Sequence, residues 1–294
     1  MENQKTIFIT CFFNLAVRNF LETPFFDILR SKPNSRIVLL VPEKNRDFFE
    51  KEFADKNVVI EPVKFQKLSG INLLLHLVSW HLLHTESKRI HKLVNLHQTK
   101  NYFTYVITSV ISWFGQFRWA RLLFRWLDYY LAPASGFDYL FEKYCPDLVF
   151  STDIQDLRVQ QLSDSYLIRA ARRRGIKSVA MGRSWDSMST KGLLRTLPDI
   201  LAVQNEDIKN QAIRYHVVPA ERIAIVGTPH YDDYITGVRT SRPEFFKKLK
   251  LDPKKKLIFV APPSDIWTGD KNFNPYLLKF FSDFGEQVVV RFPI

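Results

Sequence analysis

The sequence has little cysteine and no long apolar segment, and each shortage removes a class of protein. Only two cysteines occur among 294 residues, Cys11 and Cys145, each within an apolar stretch where burial is expected. Two buried thiols are typical of a reducing compartment and argue against a scaffold held together by disulfides. No run of about 20 apolar residues is present, so a membrane-spanning helix is not expected. We therefore expect a cytoplasmic protein.

Glycine is also scarce, and the signature motifs of several enzyme classes are missing. The ten glycines form no P-loop, no G-x-S-x-G motif and no dinucleotide-binding G-x-G-x-x-G motif. These absences argue against a kinase, a serine hydrolase and an NAD-dependent dehydrogenase. His81 and His84 share a helix face, but no carboxylate or cysteine completes a usual zinc-ligand set beside them. Neither a metal nor another cofactor is predicted.

Positive charge, by contrast, is plentiful. The 42 lysines and arginines exceed the 30 acidic residues, and the net charge is +12. Such an excess suits a phosphorylated substrate, an anionic membrane or nucleic acid. The basic cluster formed by Arg169 and residues 172–174 has no recognised nucleic-acid-binding module or stacking aromatic residues beside it. Nucleic acid is therefore not a predicted partner.

Short apolar segments alternate with helical patterns along most of the sequence. Continuous apolar strands connected by helices are typical of a parallel sheet that is covered on both faces. The predicted strands are residues 7–13, 36–41, 58–63, 147–151, 177–181, 200–203 and 223–226. A long helical region without a strand signal covers about residues 70–144. We expect an α/β fold in which residues 1–235 form a Rossmann-like domain with this region as a helical insertion.

The pattern changes after this domain. Residues 236–256 form a basic, linker-like segment, and residues 257–294 read as strand, helix and strand. About 40 residues are too few to bury both faces of a parallel sheet on their own. Either this segment docks on the first domain or the natural protein is longer. We expect the second, with residues 257–294 as the start of an incomplete second Rossmann-like domain.

The loops at strand ends hold the candidate site residues, because ligands bind open α/β sheets at the carboxyl ends of the strands. Polar and basic side chains in these loops suit a phosphorylated sugar or polyol. The predicted substrate-binding residues are Asn14, Arg18, Arg183, Ser184, Lys191, Gly227 and Thr228. Asp186, Asp153 and His230 are the candidate catalytic residues, since each can accept a proton from a hydroxyl group.

Other roles stay open at three of these loop positions. Asp153 is also placed to cap the helix that follows it. His230 can contact a phosphate instead of acting as a base. Trp185 is expected to pack as an anchor of its loop rather than to stack on a ligand.

Two segments resemble a known group of enzymes. Residues 180–192, Ala-Met-Gly-Arg-Ser-Trp-Asp-Ser-Met-Ser-Thr-Lys-Gly, lead from a strand to a polar loop, and residues 223–232 place a G-x-P-x-x-D motif after a strand. Together they are similar to the N-terminal domain of GT-B-fold transferases. The likeness is greatest to bacterial surface-polysaccharide glycosyltransferases and CDP-glycerol glycerophosphotransferases. The G-x-P-x-x-D motif also resembles the interdomain turn of UDP-N-acetylglucosamine 2-epimerases.

The resemblance implies an acceptor-side domain in residues 1–235 and a donor-side domain that begins at residue 257. It implies transfer of a sugar or polyol phosphate from a nucleotide-sugar or CDP-polyol donor to a cell-surface glycan or lipid-linked acceptor. An enzyme like the UDP-sugar 2-epimerases and a catalytically inactive module that binds glycan or membrane are the alternatives. Residues 12–18 lack the glycines that many GT-B proteins have there, and the family's donor-binding positions fall beyond Ile294. Catalysis by this chain alone is therefore not expected.

One helix combines arginines with aromatic residues. In residues 114–131, from Phe114 to Leu131, Arg118, Arg121 and Arg125 fall on one narrow stripe, and Trp, Leu and Tyr side chains occupy the broad opposite side. In one interpretation this helix lies peripherally in an anionic membrane interface, on the inner face of the plasma membrane. In the other it is buried against neighbouring helices, with only the arginines exposed.

Overall fold

The computed structural model describes residues 4–64, 67–132, 136–155, 164–237, 239–263, 270 and 272–292. The chain divides into two compact units, Met1–Ile235 and Thr236–Ile294. The roles predicted for the two domains, acceptor side and donor side, stay predictions.

Within the described residues, a seven-stranded parallel sheet forms the centre of the first unit. The strands lie in the order β3-β2-β1-β4-β5-β6-β7, and each neighbouring pair is parallel. They are β1 (Lys5–Thr10), β2 (Ser35–Pro42), β3 (Val58–Val63), β4 (Leu148–Ser151), β5 (Lys177–Met181), β6 (Ile200–Val203) and β7 (Ile223–Ile225). The order reverses between β1 and β4, as in Rossmann-type sheets. The predicted α/β fold class is confirmed.

Helices cover both faces of this sheet, which explains why its strands are apolar throughout. Phe8 and Val38 join a core cluster on one face, and Ile9 and Leu39 join a second cluster on the other. The covering helices are α1 (Asn14–Ala16), α2 (Pro24–Arg30), α3 (Arg46–Phe53), α9 (Asp164–Arg173), α10 (Ser187–Thr190) and α11 (Glu206–His216). Because successive strand residues point to opposite faces, two buried faces require apolar side chains at consecutive positions.

The helical insertion lies between β3 and β4. Its helices are α4 (Gly70–Leu82), α5 (Glu86–Thr99), α6 (Tyr102–Phe114), α7 (Arg118–Leu131) and α8 (Asp138–Tyr144). The Thr85 hydroxyl caps the start of α5, and the Asn101 side chain caps that of α6. At Gly115, between α6 and α7, a Cβ atom would lie 1.6 Å from the Leu82 carbonyl oxygen. This close approach requires glycine at that corner.

The predicted burial of Cys145 was wrong, and helix α2 is less buried than its apolar residues suggest. This helix contains Phe25, Phe26, Ile28 and Leu29, but Ile28 is 61% exposed and Phe25 is 38% exposed. Residues 26 and 28 lie about 200° apart on a helix, so both cannot face the same core. Cys145 is exposed rather than buried, since it ends α8 in the left-handed conformation just before the chain enters β4.

The second unit contains strand, helix and strand in the predicted order. Strands β8 (Leu257–Val260) and β9 (Gln287–Val290) pair in parallel, and the helix Phe273–Ser282 connects them. Before them come α12 (Asp233–Thr236), which crosses the boundary between the units, and α13 (Arg242–Lys248), whose first turn is closed by a capping box of Ser241 and Glu244. In the described part of the chain, no helix is long and apolar enough to span a membrane.

Candidate functional site

The sheet has its topological switch point between β1 and β4, and hydrogen bonds hold these two strand ends together. The Thr152 amide donates to the Thr10 hydroxyl at 3.0 Å, and the Thr152 hydroxyl donates to the Thr10 carbonyl at 2.7 Å. The Ser151 hydroxyl donates to the Asp164 carboxylate at 2.8 Å. In open α/β sheets the crevice at this point binds ligands. The first residues after β1 and β4 are therefore held together where a ligand is expected.

A cavity of about 580 Å³ opens at this edge of the sheet. Its lining comes from the loops after β1, β2, β3 and β5. The lining residues are Phe12, Phe13, Asn14, Leu15, Pro42, Glu43, Lys44, Asn45, Val63, Lys64 and Arg183. Lys44, Lys64 and Arg183 are cationic, and Glu43 lies 3.4 Å from Lys64. The cavity thus combines a positive excess with amide groups, which suits a phosphorylated and hydroxylated ligand.

Arg183 is held in place by two contacts. Its Nε donates to Oδ2 of Asp153 at 2.8 Å, and its Nη2 donates to the same oxygen. Its guanidinium carbon lies 3.7 Å from the centroid of the Phe13 ring. Asp153 is buried and fixes this cation at the cavity wall. The other role predicted for Asp153, a helix cap, concerns residues 156–163, which lie outside the described residues.

The structure brings Arg18 and His230 near each other, beside Arg183. Arg18 belongs to the π-helical turn Val17–Leu21, and its guanidinium donates to the side-chain oxygen of Asn19 at 3.2 Å. The Asn19 amide in turn donates to the Arg183 carbonyl at 3.5 Å. Predicted binding residues from two separate loops therefore meet at one place.

His230 lies in the short 3₁₀ turn Pro229–Tyr231, which follows the predicted Gly227 and Thr228. Gly227 takes a positive φ of 74°, and the Thr228 carbonyl accepts from the Tyr231 amide at 2.9 Å. Burial, together with the nearby charge of Arg18, lowers the pKa of His230. Among the described residues no group hydrogen-bonds to its buried Nδ1. The imidazole is therefore neutral near pH 7 and able to accept a proton.

The loop after β5 holds Asp186 in an ionised state. Asp186 precedes α10, and its Oδ2 accepts from the Thr190 hydroxyl at 3.0 Å and lies 3.5 Å from Lys191 Nζ. Burial raises the pKa of Asp186, but hydrogen bonds from Ser184 and Thr190 and the charge of Lys191 outweigh burial, so the pKa is lowered. Trp185 is 75% exposed. The expectation that it anchors the loop was wrong, because Ser187 and Met188 of α10 fill the buried positions instead.

Arg183 and Lys191, predicted to bind phosphate together, lie on different sides of this loop. Arg183 lines the sheet-edge cavity, and Lys191 is not among the lining residues. The end of the loop packs on the insertion, where the Leu193 amide donates to the Ser79 carbonyl at 2.9 Å. The Thr85 hydroxyl donates to the Ser189 carbonyl at 2.7 Å. The loop therefore connects the sheet edge with the first helices of the insertion.

Sequence reasoning missed four polar residues of the cavity, Glu43, Lys44, Asn45 and Lys64. They follow β2 and β3, whereas the candidate loops were sought only after four other strands. The strand-end rule applies equally to β2 and β3, so the signal was present in the sequence. Among the described residues no three His, Cys, Asp or Glu side chains are grouped as metal ligands would be.

The interpretation in which α7 is buried against its neighbours, with only its arginines exposed, was wrong. The helix has the opposite orientation. Arg121 and Arg125 are buried, and Trp119, Leu122, Leu123, Trp126 and Tyr130 are exposed. Arg121 donates to two of the last carbonyls of α11 at 2.6 and 2.8 Å, and Arg125 donates to a third at 2.6 Å. The arginines are buried because a helix C-terminus attracts cations and offers unpaired carbonyl groups.

Known proteins share the fold of this chain but little of its sequence. A glycosyltransferase from Rickettsia africae superposes with a TM-score of 0.50 at 8% identity, over 99% of this chain and 69% of its own. A UDP-N-acetylglucosamine 2-epimerase from Rickettsia bellii superposes with a TM-score of 0.47 at 14% identity, over 99% of this chain and 62% of its own. MurG from Acinetobacter baumannii superposes with a TM-score of 0.40 at 8% identity, over 98% of this chain and 66% of its own.

No family model and no curated protein sequence matches the chain. At these identities the structural likeness is one of fold, and the chain spans 62% of the length of the epimerase. The predicted likeness to the CDP-glycerol group stays a prediction. The resemblance to the GT-B group is confirmed as a Rossmann-like α/β architecture shared with a glycosyltransferase.

Proposed function

We propose that the first unit is the acceptor-side domain of a GT-B-type transferase, which moves a sugar or polyol phosphate from a nucleotide-activated donor to a glycan or lipid-linked acceptor. The cationic cavity at the carboxyl edge of the sheet carries this proposal. Three cations, Lys44, Lys64 and Arg183, surround a volume large enough for a phosphorylated sugar. Arginine binds phosphate through paired hydrogen bonds, and an arginine that is already fixed loses little entropy on binding.

The other polar residues at this edge of the sheet have different roles in the proposed reaction. The amide groups of Asn14 and Asn45 are suited to hydrogen-bond sugar or polyol hydroxyls. Asp153 acts as a positioning residue, since its carboxylate is engaged by Arg183. Asp186 positions Lys191 in the same way on the other side of the loop.

His230 is the general base in this proposal. It is neutral near pH 7, whereas the two candidate carboxylates are each paired with a cation. Arg18 favours the neutral form of the imidazole, and the turn that begins at Gly227 and Thr228 carries it toward Arg18. Removal of a general base lowers turnover by about 100- to 10,000-fold. We expect a loss in that range for His230→Ala, and unchanged turnover would exclude His230 as the base.

Phosphate binding at the sheet-edge cavity is tested by substituting one lysine at each end of β2. Lys44 follows β2 at the cavity, and Lys32 precedes β2 at the opposite edge of the sheet. In calorimetric titrations with N-acetylglucosamine 1-phosphate and glycerol 3-phosphate, we expect Lys44→Gln to weaken binding about tenfold, because a charge-assisted contact is lost. Lys32→Gln is the control and should leave binding unchanged. The cavity proposal fails if the unsubstituted chain binds neither compound or if both variants weaken binding equally.

The reaction is tested by the products that the protein forms from UDP-N-acetylglucosamine or CDP-glycerol. A transferase releases UDP or CDP only when an acceptor glycan is added. An epimerase, the alternative suggested by the G-x-P-x-x-D turn, inverts the sugar at C2 without an acceptor. An inactive module binds and forms no product. Acceptor-independent inversion, or binding without turnover, would refute the transferase proposal.

We also propose that α6 and α7 make peripheral contact with an anionic membrane. Large apolar side chains are exposed along both helices: Tyr102, Phe103, Val106, Ile107, Val110, Trp113, Phe114, Trp119, Leu122, Leu123, Trp126, Tyr130 and Leu131. Phe117 contacts both Trp113 and Trp119 across the corner between the helices, with ring centroids 5.2 and 6.1 Å apart. Exposed Lys100 and Arg118 flank α6. Aromatic side chains next to cations suit the headgroup region of an anionic bilayer.

Vesicle flotation tests this contact. The chain should float at low salt with vesicles that contain phosphatidylglycerol, and less with vesicles of phosphatidylcholine alone. Trp126→Glu should reduce flotation, because a charge is placed in the apolar surface. Ile28→Glu is the matched control, since Ile28 is 61% exposed and Trp126 58% exposed, but Ile28 lies on α2. If the unsubstituted chain ignores anionic vesicles, or if both variants behave alike, the contact is excluded.

A further inference from the structure

A second cavity, of about 210 Å³, lies within the helical insertion between α4, α5 and α6. Four of its lining side chains are basic types: His81 from α4, and Lys88, His91 and Lys92 from α5. The lining residues, all of them described, include no Asp or Glu. The positions 88, 91, 92 and 95 have the spacing of one helix face, so α5 presents its basic side to the cavity.

Lys88 is the unusual member of this group. It is only 4% exposed, and its Nζ lies 3.8 Å from the centroid of the Trp80 ring. Buried lysines are normally paired with a carboxylate. In the part of the chain that the structure describes, no carboxylate pairs with Lys88, and the positive charges of Lys191 and Lys92 act on it. The ring face compensates only part of an ammonium charge.

The other polar groups of this cavity are mostly suited to an anion. The amides of Asn95 and Asn101 and the hydroxyls of Thr104 and Tyr105 also line the cavity. Each of these groups has an N–H or O–H that can donate a hydrogen bond. A ligand with several acceptor oxygens and a negative charge satisfies such a lining, whereas a cation would meet repulsion from Lys88 and Lys92.

We propose that the cavity between α4, α5 and α6 binds a phosphate group, either of a small phosphomonoester or of a lipid headgroup, with the Lys88 ammonium as its principal contact. This site is separate from the cavity at the sheet edge and shares no lining residue with it. It is independent of the proposed transferase function. Lys191, which precedes the contact between its loop and α4, adds positive potential on one side.

The ionisation of Lys88 gives this site a pH dependence. Burial, and then the charges of Lys191 and Lys92, lower the pKa of Lys88 to about 7. The facing groups on other elements are His81 of α4 and Tyr105 of α6, and His91 and Lys92 face the cavity from α5 itself. Burial lowers the pKa of His81 to about 4, so this imidazole is neutral at pH 7. A bound anion favours charged Lys88, so binding takes up a proton above pH 7 and weakens as the pH rises.

Calorimetric titration with sulfate tests the site, because sulfate keeps its charge from pH 6 to 9. The affinity of the unsubstituted chain should fall about tenfold for each pH unit above 7, with heats that depend on the ionisation enthalpy of the buffer. Lys88→Met should weaken binding at least about tenfold and remove the pH dependence. Lys32→Gln is the control: Lys32 lines neither cavity, so this variant should leave the binding event intact.

Two further measurements separate loss of charge from loss of fold and identify the source of the phosphate. Lys88→Arg retains a permanent charge, so it should bind sulfate with little pH dependence, which separates loss of charge from loss of fold. Glycerol 3-phosphate and dihexanoyl phosphatidic acid distinguish the two sources. Lys88-dependent preference for the lipid indicates a headgroup site, and equal affinity indicates a small phosphomonoester. If no anion among sulfate, glycerol 3-phosphate and phosphatidic acid shows binding that Lys88→Met removes, the site does not exist.

Discussion

Helix α7 of the insertion buries charged side chains, whereas the strands of the sheet bury mainly apolar ones. In the sheet, Phe8 and Ile9 of β1 are fully buried on its two faces. In the insertion, α7 buries Arg125 and Asp128 and leaves Trp126 58% exposed. The sheet is therefore held by burial of apolar surface, and α7 adds hydrogen bonds and ion pairs to the apolar contacts of Phe124. Burial alone does not tell which force secures an element.

The ion pairs of α7 form a buried network around Asp128. Its carboxylate accepts from Arg195 Nε at 2.9 Å and from Arg169 of α9. Arg195 also donates to the Tyr166 hydroxyl at 2.8 Å. The two guanidinium groups engage both carboxylate oxygens, Arg195 at Oδ1 and Arg169 at Oδ2. The network joins α7 to α9 and to the segment before β6, and it fixes the insertion on the rest of the first unit.

The largest expected effect comes from Asp128→Asn. Removal of the carboxylate leaves two buried arginines without their counter-charge, which costs about 3–5 kcal/mol of the free energy of unfolding. Urea denaturation measures this loss. Asp27→Asn breaks an exposed pair with Arg30 and should cost less than about 1 kcal/mol. A loss below about 1 kcal/mol for Asp128→Asn would show that apolar contacts hold α7 after all.

The second prediction concerns pH and depends on His216, which ends α11 beneath α7. Its Nδ1 accepts from the Leu194 amide at 3.1 Å, and its Nε2 donates to the Met188 carbonyl at 2.8 Å. Burial lowers the pKa of His216 to about 3; the hydrogen bond to Met188 opposes this shift, and the charges of Arg125 and Arg121 add to it. The unfolded imidazole binds a proton below about pH 6.5, and the folded one does so only near pH 3.

The contribution of His216 to the free energy of unfolding should therefore be fully present above pH 6.5 and fall by about 1.4 kcal/mol per pH unit on acidification toward pH 4. Denaturation at several pH values measures the slope, and His216→Gln should reduce it. His76 and His81, whose pKa values burial lowers to about 4, and His230, whose pKa is also lowered, add to the slope of both proteins, so the difference between the two curves reports His216. Parallel curves for the two proteins would contradict the burial of a neutral histidine.

The contrast between sheet and insertion also explains which features the sequence allowed us to predict. Strands such as β3 and β5 were predicted residue for residue, because a two-sided core requires a continuous apolar run. Lys44 and Lys64 were within reach of the same rule that identified Arg183. The burial of Arg125 could not be predicted from the sequence, because it depends on the carbonyl of His216, 91 residues away. Likewise, nothing local to Lys88 shows that α4 and α6 enclose it.

The smallest expected effect on the free energy of unfolding concerns two adjacent residues of α7. Arg125→Met removes hydrogen bonds to the Leu194 and His216 carbonyls and should cost about 2 kcal/mol, because these buried acceptors lose a charged donor. Trp126→Ser, one position along, removes a side chain that faces outward and should change the free energy of unfolding by less than about 0.5 kcal/mol. Urea denaturation of both variants measures the pair. If Trp126→Ser were the more destabilising change, the apolar side of α7 would be the one that holds the insertion in place.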